Sequence, residues 1–213
     1  MKNVRFGFLL VTLVLAGCVT GTRNIQLTPP EYSSGKSASG LIYIASIEDK
    51  RIFEQKPKNP STPSVKGNLS SASKEKLSTL VGRQRNGWGA AMGDVALPEG
   101  QTVQEKVREL LTKGLESRGY EVINDNNAPN KITVDIEKFW AWFSPGMWVI
   151  SFESDIQCKI NLENASGSSV IDVTGYGINK GQVASNANWE LAYKRAFTDF
   201  MKNLDIALDS KGL

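Results

Sequence analysis

The chain has 213 residues, a formal net charge of +3 and no histidine. That charge is too near neutral for a nucleic-acid surface, and the missing histidines remove the commonest general base and the commonest metal ligand. Cys18 and Cys158 are the whole thiol inventory, and the first has another use, so no disulfide is expected.

Residues 1–18 read MKNVRFGFLLVTLVLAGC, with Lys2 and Arg5 ahead of an apolar run from Phe6 to Ala16. Such a run suits the ~7–15 residues of a signal-peptide core and falls short of the ~20 that a spanning helix needs. Leu15-Ala16-Gly17-Cys18 then has the form of a bacterial lipobox, with small residues before an obligate cysteine. On this reading residues 1–17 are a cleaved signal peptide and Cys18 is the lipidation site. Its sulfur carries a diacylglycerol, and its new amine carries an acyl chain such as palmitate. Two or three chains anchor a protein stably where one does not. Val19 stands where an enteric-type lipoprotein held in the inner membrane carries aspartate. The expected location is therefore the bacterial outer membrane, with the domain lipid-anchored and facing the periplasm. Residues 18–39 are rich in Thr, Ser, Pro and Gly. They are expected to form a flexible tether of roughly 25 Å root-mean-square length, on which a single domain, residues 40–213, stands off the membrane.

LIYIASI at residues 41–47 reads as a central strand, β-branched and apolar. Residues 52–100 read as a long irregular insertion. KPKNPSTPS cannot be regular structure, and SSASKEKLSTLVG has room for one short helix. Residues 56–73 bury too little to offset their ordering entropy and are expected to be mobile. Gly87, Gly89 and Gly93 miss the G-x-G-x-x-G spacing, and no Gly-Lys-Ser/Thr occurs, so there is no phosphate loop. Arg83, Arg85 and Trp88 are the insertion's candidate contacts for an anionic or glycan partner. The plainer reading is a solvated loop lying over the domain.

Residues 102–117 predict a helix. Thr102 and Glu105 form a capping box, Val103, Val107, Leu110, Leu111 and Leu115 form one stripe, and Gly119 closes it. A short strand follows at 120–123. Residues 131–162 then predict a long β-hairpin around Ser144-Pro145-Gly146, with apolar residues at the even positions of both arms. Near the turn the odd positions Phe139, Ala141, Phe143, Met147 and Val149 are apolar too. A three-residue Ser-Pro-Gly loop sets Trp142 opposite Trp148. A tight Pro-Gly turn shifts the faces by one and needs a bulge to recover. Phe139, Phe143, Met147 and Trp148 are candidate partner-binding residues unless the insertion covers them. The strand at 170–178 sets Gly175 and Gly177 on the face of Ile171 and Val173, a bare patch that admits a helix. Residues 186–208 predict a helix with a Trp189, Tyr193, Ala196, Phe197, Phe200, Leu204, Leu208 stripe. The sum is an α+β fold: an antiparallel-rich sheet of about five strands with two amphipathic helices on one face.

The lipobox, Asp49-Lys50-Arg51 after the first strand, Leu115 with Arg118-Gly119-Tyr120, and Gly175-Tyr176 before the last helix resemble, in this order, the YajG type of bacterial outer-membrane lipoprotein. The resemblance implies a location and a fold more than an activity. The insertion at 52–100 and the Trp-rich hairpin tip depart from it.

No catalytic residue, metal or cofactor is expected, since there is no nucleophile elbow and no metal spacing. Asp135, Glu137, Glu153 and Asp155 alternate on the polar face of the hairpin, as solvated charge does, and Cys158 falls on the core face. The functional expectation is a non-catalytic envelope lipoprotein, an accessory or adaptor for an outer-membrane or cell-wall assembly. The alternative is a ligand-binding lipoprotein whose aromatic hairpin tip holds a glycan or lipid. The expected partners are the membrane through the anchor, another envelope protein, and peptidoglycan or lipid, with no nucleic acid.

Overall fold

The computed structural model describes residues 21–37, 39–86, 88, 90–146, 149–182 and 185–213. In chain order these form β1 (Arg23–Asn24), β2 (Gly40–Asp49), α1 (Lys74–Thr79), β3 (Leu80–Arg85), β4 (Ala91–Ala96), α2 (Val103–Arg118), β5 (Tyr120–Ile123), β6 (Asn130–Pro145), β7 (Ile150–Asn164), β8 (Gly167–Gly181) and α3 (Asn186–Asp209). One sheet holds all eight strands in the order β1-β4-β3-β6-β2-β5, with β7 beside β6 and β8 beside β7.

This corrects the expected sheet in number and in direction. Two of the extra strands, β3 and β4, lie inside the stretch expected to be irregular. Four pairings, β1 with β4, β2 with β5, β2 with β6 and β3 with β6, are parallel, so the sheet is mixed. The physical cause is α2: a crossover helix between β2 and β5 returns the chain in the same direction. The helix itself forms as its sequence dictates. Thr102 and Glu105 cap each other's amides, and Gly119 ends it at φ 101°, a conformation that costs a Cβ-bearing residue strain.

The predicted hairpin is β6 with β7, and its even positions face the main core as expected along β7 and along β6 up to Ile136, but not beyond. Ile136 pairs with Cys158 and Lys138 with Gln157, so Glu137 is an extra residue in β6. This bulge shifts the side-chain alternation by one. Before it, Ile132, Val134 and Ile136 face the main core. After it, Phe139, Ala141 and Phe143 do. Trp140 and Trp142 turn to the opposite face and build a second core with Val65, Leu80 and Ala96, against which Phe53 and Leu77 pack. Trp142 therefore lies across from Glu153, not Trp148, and Trp140 from Asp155.

The second core holds the 53–80 stretch to the sheet. Trp140 Nε1 donates to the Pro60 carbonyl at 3.2 Å, and Val65 is buried. The composition of residues 56–73 suggests mobility, yet one deep indole gives the stretch a place to dock.

The bulge also marks where one edge of β6 changes neighbour. β2 pairs as far as Ile136, and beyond it β3 takes over at Ala141. Arg51 fills the gap. Its guanidinium grips Asp49 at 2.7 and 2.8 Å and donates to the carbonyls of Leu80 at 2.6 Å, Phe139 at 3.1 Å and Leu77 at 2.9 Å. One planar fork thus bridges three carbonyls where α1, β3 and β6 meet.

On the other face α2 and α3 cover the sheet. Gly175 and Gly177 admit α3 as expected: a Cβ on Gly177 would stand 2.1 Å from the Ala192 carbonyl oxygen. Arg118 ties the two helices together, donating to the Asp205 carboxylate at 3.1 Å and to that of Asp209 at 2.8 Å.

The expected tether is corrected as well. Residues 21–37 run across the domain as a strap. Ile25 and Leu27 belong to the main core, Tyr32 donates to Asp205 at 2.6 Å, and Lys36 pairs with Asp209 at 2.8 Å. An apolar pair two residues apart docks this polar stretch on β4 and the helices. Cys18 lies outside the described residues.

Candidate functional site

Polar chemistry and open space coincide at one end of the β3–β4 hairpin. There the 55–68 stretch passes over the strands and leaves a groove of about 730 Å³. Lys56, Ser64, Asn68, Arg83, Arg85 and Ala91 are among its lining residues. Arg83 stands directly across from Asp94 in the ladder, and its guanidinium lies 2.6 Å from the Asp94 carboxylate. Asp94 is nearly inaccessible and also accepts the Lys66 amide at 2.8 Å, with the Lys76 ammonium 3.7 Å away. This carboxylate is saturated. Arg83 Nε is buried without a hydrogen-bond partner.

Arg85 follows on the same face of β3. Burial, and then the neighbouring Arg83 charge, pull its pKa below the ordinary guanidinium value, as expected where like charges share a partly dry site. Lys56 sits at the rim with φ 51°, a left-handed backbone that is uncommon for a non-glycine residue. The groove therefore sets three cationic side chains, Lys56, Arg83 and Arg85, beside one carboxylate that Arg83 neutralises. Chemically it suits a phosphate or carboxylate group.

Trp88 tops the hairpin and is 96% exposed. Asn86 holds the turn, its side-chain oxygen accepting the amides of Trp88 at 3.0 Å and Ala90 at 2.9 Å. Arg83, Arg85 and Trp88, singled out from the sequence, thus share one hairpin. Arg83 serves first to seat Asp94. Lys56 had no signal in the sequence beyond its place among prolines.

The hairpin-tip candidates fare differently. Phe139 and Phe143 are buried in the main core, Phe139 stacked on Tyr193 with centroids 5.0 Å apart. They are corrected from partner contacts to core residues, because the bulge turns them inward. Met147 and Trp148 lie outside the described residues. The hairpin carboxylates are engaged: Asp155 with Lys138 at 2.8 Å, Glu137 with Lys159 at 3.2 Å, and Glu153 with the hydroxyls of Tyr176 at 2.6 Å and Ser144 at 2.9 Å. Cys158 is buried, and that burial, with Glu137 nearby, pushes its thiol pKa far up. Among the described residues no cluster of Cys, Asp and Glu could hold a metal ion, and no helix is long and apolar enough to cross a membrane.

Solved structures with a similar course include protein XCC0632 of Xanthomonas campestris, at 12% identity and a TM-score of 0.45 over 90% of this chain and 95% of that one. A hypothetical protein of Chlamydia trachomatis aligns at 9% identity and a TM-score of 0.37, over 81% and 99% of the two chains. A putative neuraminyllactose-binding hemagglutinin homolog of Helicobacter pylori aligns at 14% identity and a TM-score of 0.29, over 86% and 93%. No curated protein matches the chain. A family model does, that of a family described as "Uncharacterized lipoprotein", over residues 89–208. These residues run from the β3–β4 turn nearly to the end of α3 and make up more than half of the chain, which therefore belongs to this lipoprotein family.

Proposed function

We propose that the protein is a lipid-anchored accessory or adaptor of the bacterial outer membrane, non-catalytic, with its domain in the periplasm. Lipoprotein membership and the lipobox at Cys18 support the anchor. Val19 supports outer-membrane sorting. The order of strand, R-G-Y helix end, long hairpin, Gly-Tyr strand and last helix supports the YajG-type reading within that class. One observation carries the adaptor role. The groups with chemical potential are absorbed by the fold: Arg51 and Arg118 by carbonyls and carboxylates, Cys158 by the core. Among the described residues, the surface features that stand out are a basic groove and a bare tryptophan. Recognition needs such a surface, whereas acid–base or nucleophilic chemistry needs a group free to react.

The glycan- or lipid-binding alternative draws less support in its original form, because Trp140 and Trp142 are enclosed in the second core. Substituting Cys18→Ser tests the anchor. The variant is expected to lose its acyl mass and leave the outer-membrane fraction. Retention in that fraction with normal processing overturns the reading. A photo-crosslinking residue at Trp88 in intact cells is then expected to capture a discrete envelope component, whether protein or phospholipid, and a crosslink pattern equal to that of a solvent-facing site on α3 overturns the adaptor role.

A further inference from the structure

The strands all report on one end of the sheet. β3 runs parallel to β6, so the β3–β4 and β6–β7 turns point the same way. β8 is antiparallel to β7 and finishes there, Gly181 beside Ile150. β1 is parallel to β4, so the strap enters the domain at this end. Its first described residue, Gly21, is already fixed: its carbonyl accepts from Gln84 Nε2 at 3.2 Å and lies where a Cβ on Gly93 would stand, 2.1 Å away. Only Val19 and Thr20 separate it from Cys18. Three residue steps reach at most about 11 Å. An acylated Cys18 therefore holds this end of the sheet at the bilayer, where a free tether would have let the domain stand off.

The same end has the chemistry of an interfacial surface. Trp88 projects from it 96% exposed, and Val149 is 42% exposed at the neighbouring turn. Tryptophan concentrates at headgroup level because its ring is apolar and its N–H is wet. Beside Trp88 the groove presents Lys56 and Arg85, and Lys180 is exposed one residue before β8 ends. The acidic side chains nearby are engaged: Asp94 by Arg83, Glu153 by Tyr176 and Ser144, and Glu190 by the Gln26 amide. Asp94 is neutralised by Arg83, and Lys56, Arg85 and Lys180 outnumber Glu153 and Glu190, whose neutral hydrogen-bond donors leave their charges in place. Basic side chains near an anionic leaflet are drawn to it within a Debye length.

We infer that this end of the sheet docks on the headgroup layer of the membrane that carries the anchor, with Trp88 at the interface and Lys56 and Arg85 against the phosphates of anionic phospholipid. The inference rests on the lipidation of Cys18 proposed above.

The test uses the full lipidated protein, labelled with 5-fluorotryptophan and returned to vesicles of phosphatidylethanolamine with or without phosphatidylglycerol. Trp88→Phe identifies the Trp88 fluorine resonance, and a lipid bearing a nitroxide on its headgroup broadens what lies nearby. In vesicles containing phosphatidylglycerol the Trp88 resonance is expected to lose most of its intensity while that of buried Trp189 persists. Without phosphatidylglycerol, or in the Lys56→Gln, Arg85→Gln variant, most of the Trp88 intensity is expected to return. Mass spectrometry at Cys18 separates the two layers of the argument. Missing acyl chains overturn the lipoprotein reading. An acylated protein whose Trp88 and Trp189 resonances broaden alike overturns the docking and leaves Trp88 to a protein partner. Broadening of Trp88 that ignores both phosphatidylglycerol and the double variant overturns the anionic-lipid recognition.

Discussion

The Arg51 guanidinium donates to the Phe139 carbonyl at 3.1 Å, two residues past the bulge at which β6 exchanges one neighbour for another. Phe139 lies between the last β6 residue paired with β2 and the first paired with β3, and there the side chain extends the ladder. Replacing Arg51 with Met keeps the stem and removes the fork. The Asp49 carboxylate then loses its partner, and the carbonyls of Leu80 and Phe139 lose their donors. Breaking a buried pair on one side costs about 3–5 kcal/mol. Arg51→Lys is expected to recover only a minor part, since one ammonium cannot reproduce the planar, multi-carbonyl geometry. Urea-induced unfolding of the three proteins measures both, and an Arg51→Lys midpoint equal to wild type would show that charge alone suffices.

A second prediction concerns the approach of α3 to β8. A methyl group on Gly177 meets the Ala192 carbonyl oxygen at 2.1 Å and the Ala196 nitrogen at 2.5 Å. Both are backbone atoms and cannot swing aside. The helix must move, and overpacking of this kind costs about 1–3 kcal/mol or more. Gly167→Ala is the control, where nothing lies within 4 Å but φ is +121°, so only backbone strain is added. Thermal melts are expected to rank Gly177→Ala as the less stable.

Much of this fold could be read from residue order. The capping box, the Gly119 terminus, the bare face at Gly175 and Gly177, and the α3 stripe are local patterns, and local geometry decides them. What could not be read depends on pairing. Phe139, Trp140, Ala141, Trp142 and Phe143 are apolar without alternation, so the pattern cannot say which face meets which core; an extra residue at Glu137 decides it. LVGRQR and AMGDVA look like loop because they carry Arg83 and Asp94. Set opposite each other in the ladder, those charges cancel and the strands bury. The candidate site was legible in part for the same reason. Arg83, Arg85 and Trp88 are close in sequence, whereas Lys56 joins them through a chain crossing that no local signal announces.

Cys158 gives a prediction in pH. Burial, and then the Glu137 charge, raise its thiol pKa in the folded state, whereas an unfolded thiol titrates near about 8.5. The folded chain thus holds its proton more tightly. The contribution to stability is complete below the unfolded value and shrinks as pH rises past it, because the unfolded chain gains by ionising. Iodoacetamide is expected to spare Cys158 in the native protein at mildly alkaline pH and to label it in denaturant. Rapid native labelling would mean that the core above β7 opens readily.

The last prediction concerns the second core. The Trp140 ring meets Phe53 edge-on at 5.9 Å, its Nε1 donates to the Pro60 carbonyl at 3.2 Å, and Val65 packs in the same cluster. Trp140 is thus the centre of the cluster that holds residues 53–72 to the sheet, with the Lys66 amide on Asp94 as a further tie. Truncating a buried Trp to Ala costs about 3–5 kcal/mol when the site cannot collapse. Here the loss should be borne locally. The main core, with Phe139, Tyr193 and Phe197, lies on the other face of β6 and keeps its contacts. The stretch is then expected to open in Trp140→Ala while the domain stays folded, as a low-stability segment opens before the whole. Trypsin offers a direct reading, because Lys58 and Lys66 lie in the stretch. Cleavage there is expected to be slow in the wild type and fast in the variant, with α2 and α3 protected in both and the far-ultraviolet circular dichroism unchanged. Equal and rapid cleavage in both proteins would mean that Trp140 does not hold the stretch. It would also remove the wall that shapes the groove around Arg83 and Arg85, since Ser64, Val65 and Asn68 line it from this same segment.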